Sequence, residues 1–144
     1  GADRYRALWA AHQARLEGPV TLTEAEAARL LRALSHYVVR DAVLDWCDDA
    51  TWWLWQDLVR LTPPHRFTHT ALLLATAAYQ RGNYFLAMTA ADHVLIADPH
   101  YSRVEGVLIA LAFALPAGEF RVMTRSAATE AREQLQAQSR SSGN

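Results

Sequence analysis

Apolar residues recur along this chain at intervals of three and four, the period of helices buried on one side, and proline and glycine pairs punctuate them. Leu8, Trp9, His12 and Leu16 keep that spacing and predict a first helix over 5–17, stopped by Gly18-Pro19. Thr23-Glu24-Ala25-Glu26 reads as a capping box. The helix it starts carries Leu30, Leu31, Leu34, Tyr37 and Val38 on its apolar face, with Arg29 and Arg32 toward solvent. The pattern goes on through Val43, Leu44, Trp46 and Cys47, either as a continuation or as a new helix after a break near Ser35-His36. Asp48-Asp49 then caps a helix through Thr51, Trp52, Trp53, Trp55, Leu58 and Leu61. Pro63-Pro64 ends it, because proline lacks an amide donor and disfavours helix in the residue before it.

Three further segments follow. A helix is predicted over 68–80, a tight turn at Gly82-Asn83, a helix over 84–97 ended by Asp98-Pro99, and an apolar helix over 102–115 ended by Pro116-Ala117-Gly118. The last helix, 126–138 with Ser126 as its cap, is weaker, having only Ala128, Ala131 and Leu135 on one side. Residues 139–144 are expected to be a disordered tail. No alternating run is bounded by a hairpin turn, so strands are not expected. The prediction is an all-α domain over 1–138 with six to seven helices.

The hairpin around Gly82 resembles a tetratricopeptide unit, which packs two helices in about 34 residues with set large, small and proline positions. With Pro99 at the proline position, Leu74, Ala75 and Ala87 fall on the leucine and the two small slots, and Gly82 falls in the turn. The aromatic slots hold Ala71, Ala78 and Ala91 instead. Small side chains at facing positions let antiparallel helices approach closely, so the expected architecture is a helical-hairpin array. A second unit, from Tyr37 to Pro63-Pro64, keeps the order of helix, turn, helix and proline but few of the side chains.

The same region is similar to a known family. Leu30 to Leu34, Val39-Arg40-Asp41, Pro63-Pro64, Leu72 to Ala78, Gln80-Arg81-Gly82-Asn83, Ala97-Asp98-Pro99 and Tyr101-Ser102 resemble the C-terminal helical part of the domain of unknown function 4192 family of high-GC Gram-positive bacteria. The resemblance covers about residues 22–116. It departs from the family at Tyr79, commonly Trp, and at Asn83, commonly Asp. It implies that an α/β portion precedes this segment in longer members, and it brings no catalytic residue to any position.

Composition then narrows the function. The chain has 144 residues, 51% of them hydrophobic, and 14 basic against 15 acidic residues. That balance argues against a nucleic-acid binder, which would show a basic surplus. Every basic residue except histidine is arginine, a skew toward GC-rich codons that reports genome composition more than chemistry. The longest apolar runs fall short of the about 20 residues that span a bilayer, and read as buried helices. Cys47 stands alone and fits a reducing, cytoplasmic setting. Between Trp46 and Asp48 it lacks the cation that activates a thiolate, so a packed core thiol is expected.

The candidate sites are few. His65 and His69 have the four-residue spacing of helical metal ligands but no glutamate between them; His93 and His100 flank Asp98-Pro99. Asp41, Asp45, Asp48 and Asp49 form an acidic stripe, read as a solvated helix face, with Arg40-Asp41 a possible interhelical ion pair. His36 is read as a satisfied, partly buried histidine. Tryptophan is enriched at interaction hot spots, and Trp52 and Trp53 cannot face the same way on one helix, so one of the cluster should reach solvent. The expected function is therefore protein interaction, with a partner or with a second copy, through Trp52, Trp53 or Trp55 together with Tyr84 and Tyr101. No enzymatic activity, cofactor, metal, nucleic acid or membrane is expected; the alternative is a small enzyme or metal-binding domain built on the histidines and aspartates.

Overall fold

A computed structural model describes residues 22–48 and 51–142 of the chain; the predicted helix over 5–17 lies outside them. Helix α1, Glu24–Leu34, begins as its capping box dictates. The Glu26 amide donates to Thr23 Oγ1 and the Thr23 amide donates to Glu26 Oε1, each at 3.1 Å. The chain breaks at Ser35-His36 and resumes as α2, Tyr37–Ala42. That break turns Val38 and Val39 into the core but leaves Tyr37 in solvent, so Tyr37 does not extend the apolar face of α1 as expected. Leu44–Trp46 is a single 3₁₀ turn rather than more α-helix.

Helix α3, Trp52–Arg60, is preceded by a polar knot: the Thr51 amide donates to Asp48 Oδ1 at 3.0 Å and the Thr51 hydroxyl donates to the Trp46 carbonyl. A 3₁₀ turn at Pro64–Arg66 leads into α4, Thr68–Gln80, and then α5, Tyr84–Ala97. The boundaries of α4 and α5 match those predicted. At the end of α4 the Gly82 amide donates to the Tyr79 carbonyl and the Asn83 amide to the Ala78 carbonyl, with Gly82 at φ 82°. This is a Schellman ending, whose left-handed residue is glycine because a Cβ is disfavoured there.

Helix α4 is the axis of the core. Every residue from Thr70 to Tyr79 is buried, as a helix apolar all round requires. It packs against α1, α3, α5, α6 (Val104–Phe113) and α7 (Ala117–Ser142). Ala75, Ala87 and Ala91 are fully buried where α4 meets α5, consistent with close approach of small side chains. The architecture is all-α, with seven α-helices and no strand among the described residues.

Helix α7 departs most from expectation. It begins at Ala117, nine residues before Ser126, and runs through 139–142, where a disordered tail was expected. Phe120, Thr124, Ala128, Ala131 and Leu135 form its buried stripe, which lies along α2 and the 3₁₀ turn after it. Arg132 fixes the register, donating to both carboxylate oxygens of Asp45 at 2.9 and 3.1 Å and to the Ala42 carbonyl at 3.0 Å. No helix among the described residues is long and apolar enough to cross a membrane.

Candidate functional site

The aromatic residues expected to meet a partner divide into three groups. Trp52 and Trp55 are core residues: Trp52 lies under the guanidinium of Arg81, 5.0 Å from its ring, and Trp55 is 1% exposed, with Nε1 3.3 Å from Thr51 Oγ1. Bringing such a side chain out would forfeit about 3–5 kcal/mol of packing, so neither offers a surface to a partner. Tyr101 is half-buried and belongs to a polar cluster. Trp53 and Tyr84 alone stand out into solvent, each 50% exposed.

The larger apolar surface lies elsewhere, on α5 and α6. Phe85 is 77% exposed, Ile96 79% and Phe113 75%, and Met88, Leu95 and Ile109 are also exposed. Phe85 and Met88 are one turn apart and Ile96 follows about two turns later; Ile109 and Phe113 are one turn apart on the adjacent helix. The apolar run 107–117, most of it in α6, reads from sequence as a buried helix; α5 has only Asp92 among acidic or arginine side chains and α6 only Glu105. The same signal has a second meaning. A helix apolar all round that packs on one side only must leave apolar side chains in water.

In its described members, Asp41, Asp45 and Asp48, the acidic stripe is not a solvated face; Asp49 lies outside the described residues. Asp41 is buried at 7% exposure, where Arg103 Nε donates to its Oδ2 at 3.2 Å and the Tyr101 hydroxyl to its Oδ1 at 3.4 Å. Asp45 is held by Arg132 and Asp48 by Thr51. The expected Arg40-Asp41 ion pair is replaced by one between Asp41 and Arg103, 62 residues apart, while Arg40 lies over the Tyr101 ring at 4.8 Å. Burial raises the Asp41 carboxyl above its ordinary range, against the opposing pull of Arg103 and Arg40. Burial likewise raises the Tyr101 phenol.

A cavity of about 560 Å³ opens beside this cluster, lined by Arg40, Asp41, Asp98, His100, Tyr101 and Arg103 among others. The segments Val39-Arg40-Asp41 and Asp98-Pro99 through Tyr101-Ser102, distant in sequence, meet here. A second hollow of about 120 Å³ between α4, α6 and α7 is mostly apolar, lined by Leu72, Val107 and Phe120, and lies below the about 300–1,000 Å³ of ligand pockets.

The described histidines are not gathered into one site. His65 is exposed in the 3₁₀ turn, His69 is partly buried at the start of α4, and His93 packs edge-on against Phe67 at 5.5 Å. His36 stacks beside Tyr37. Burial, with Arg40 and Arg66 nearby, pushes the His69 imidazole below its ordinary range. Among the described residues no three His, Cys, Asp or Glu side chains are grouped to hold a metal ion. Cys47 is a buried thiol donating to the Val43 carbonyl at 3.4 Å, with its pKa raised by burial and by Asp48 and Asp45.

The family model described as domain of unknown function (DUF4192) matches residues 1–118 of the chain. No curated protein and no solved structure matches the chain.

Proposed function

We propose that this chain, which belongs to the domain of unknown function (DUF4192) family, is a helical protein-interaction module of tetratricopeptide-like hairpins that associates with a second copy of itself. The observation that carries the reading is the exposed apolar face of α5 and α6. At about 150–250 Å² for a large side chain, its exposed residues leave roughly 700 Å² in water. The largest patch on a typical monomer is about 300–600 Å², whereas a standard interface covers about 800 Å² per partner.

A second copy fits this face better than a charged partner does. With one carboxylate and no arginine on each helix, the face has no charge pattern for an oppositely charged surface to read. Apolar side chains around a twofold axis supply their own complement in an isologous contact. The role is structural and non-enzymatic, and Trp53 lies outside the contact.

Sedimentation of the wild-type chain and of a Phe85→Glu, Phe113→Asp variant tests the reading. Interfaces of this size hold at micromolar Kd or tighter, so the wild type is expected to be dimeric at about 100 µM and the variant monomeric, with unchanged helicity. A wild type that remains monomeric at that concentration overturns self-association, as does a variant that dimerises equally well. Trp53→Ala is expected to leave the stoichiometry unchanged.

A further inference from the structure

The cavity at the meeting of α2 with the α5–α6 connection stands apart from the apolar face, and its chemistry points to a different occupant. The Arg40 side chain makes no hydrogen bond and no ion pair with any described residue; its guanidinium lies over the Tyr101 ring, and its Nε is buried without a partner. A guanidinium carries five donors in a planar fork. Leaving the Nε donor buried and unpaired is costly, and such a donor calls for an acceptor that fills the site.

None of its neighbours bonds it. The Asp41 carboxylate is taken by Arg103 and Tyr101, and Arg103 reaches it only through Nε. The terminal nitrogens of Arg103 therefore remain available at the cavity wall, together with His100 and the Ser102 hydroxyl. Asp98 also lines the cavity and makes no side-chain hydrogen bond with the described residues, so the wall offers the donors of two arginines beside one unpaired carboxylate. Burial is the main cause that lowers the His69 imidazole, and the Arg40 charge adds to it.

We propose that this cavity is a binding site for an oxyanion group of a small molecule, phosphoryl or carboxylate, held by the Arg40 fork and the free end of Arg103. Both groups match guanidinium geometry, in two parallel N–H···O bonds. The volume, about 560 Å³, accommodates a metabolite-sized ligand around that group. Asp98 at the same wall suits a ligand that also bears a hydroxyl or amine donor.

The test is calorimetry and thermal denaturation of the full chain with inorganic phosphate and with succinate, each against sodium chloride at equal ionic strength. Phosphate or succinate is expected to stabilise the protein and to release binding heat where chloride does not, and the stronger of the two identifies the oxyanion. Arg40→Gln, which removes no hydrogen bond from the fold, is expected to weaken that binding about tenfold or more. The proposal is overturned if neither anion exceeds chloride, or if Arg40→Gln binds as tightly as the wild type. Neither outcome depends on whether the chain dimerises.

Discussion

The hydroxyl of Tyr79, the last buried residue of α4, donates to the Leu115 carbonyl at 2.6 Å and lies 3.0 Å from the Ala110 carbonyl, bridging α4 to the end of α6 across 36 residues of chain. Leu115 and Ala110 are themselves joined by a backbone hydrogen bond of 3.0 Å. One phenol thus braces the turn that redirects the chain from α6 into α7. Its ring lies against Phe120 of α7, 4.4 Å between centroids, so the bond and the ring fix the same corner.

Removing that hydroxyl leaves the Leu115 carbonyl without its side-chain donor while the aromatic packing stays. Tyr79→Phe is expected to lower unfolding stability by about 1–2 kcal/mol. Urea denaturation followed by circular dichroism checks this; a variant as stable as the wild type would show that water replaces the phenol there at no cost.

Ala114, in the same turn, is at φ 50° and ψ 48°. Its amide donates to the Leu111 carbonyl and the Leu115 amide to that of Ala110, the same Schellman pattern that ends α4 at Gly82. Alanine in this region is disfavoured by about 1–2 kcal/mol, partly offset in glycine by its greater freedom when unfolded. Ala114 is exposed, so no packing is lost on truncating it. Ala114→Gly is therefore expected to raise stability by about 0.5–1 kcal/mol, read as a higher urea midpoint with an unchanged slope. A lower midpoint would refute it.

Asp41 sets a pH dependence of definite sign. Its folded-state pKa is raised above the unfolded value, so the folded chain binds this proton more tightly than the unfolded chain. The stability this contributes is fully present below the unfolded pKa of about 4 and is lost as pH rises through the folded value. Relative to Asp41→Asn, which does not titrate, the wild type should become less stable as pH rises from about 4 into the mildly acidic range. Paired urea titrations across that range test it, and a wild type that gains on the variant would show that Arg103 and Arg40 outweigh desolvation.

Much of the fold was legible in the sequence because its signals are local. The capping box at Thr23, the Gly82-Asn83 turn and the proline stops each depend on a few adjacent residues, so α1, α4 and α5 begin or end where predicted. Helix α7 extends beyond its predicted bounds; its stripe of Phe120, Thr124, Ala128, Ala131 and Leu135 carries only two large apolar residues, a weak signal in sequence. What holds it is an arginine that meets Asp45 from 87 residues away.

The sequence by itself determined the helical class, the order of most helices, the family and the packing of Cys47 as a buried thiol. The tertiary structure alone decided which side of each helix meets water, and hence which candidates remain. Helices α4, α5 and α6 are similarly apolar in composition, yet α4 is enclosed on all sides and the other two are not. Charge pairing was equally hidden, since Asp41 looks solvated until Arg103 and Tyr101 are folded over it. Periodicity records what a residue can bury; the number of neighbours that arrive is a long-range property of the packed chain.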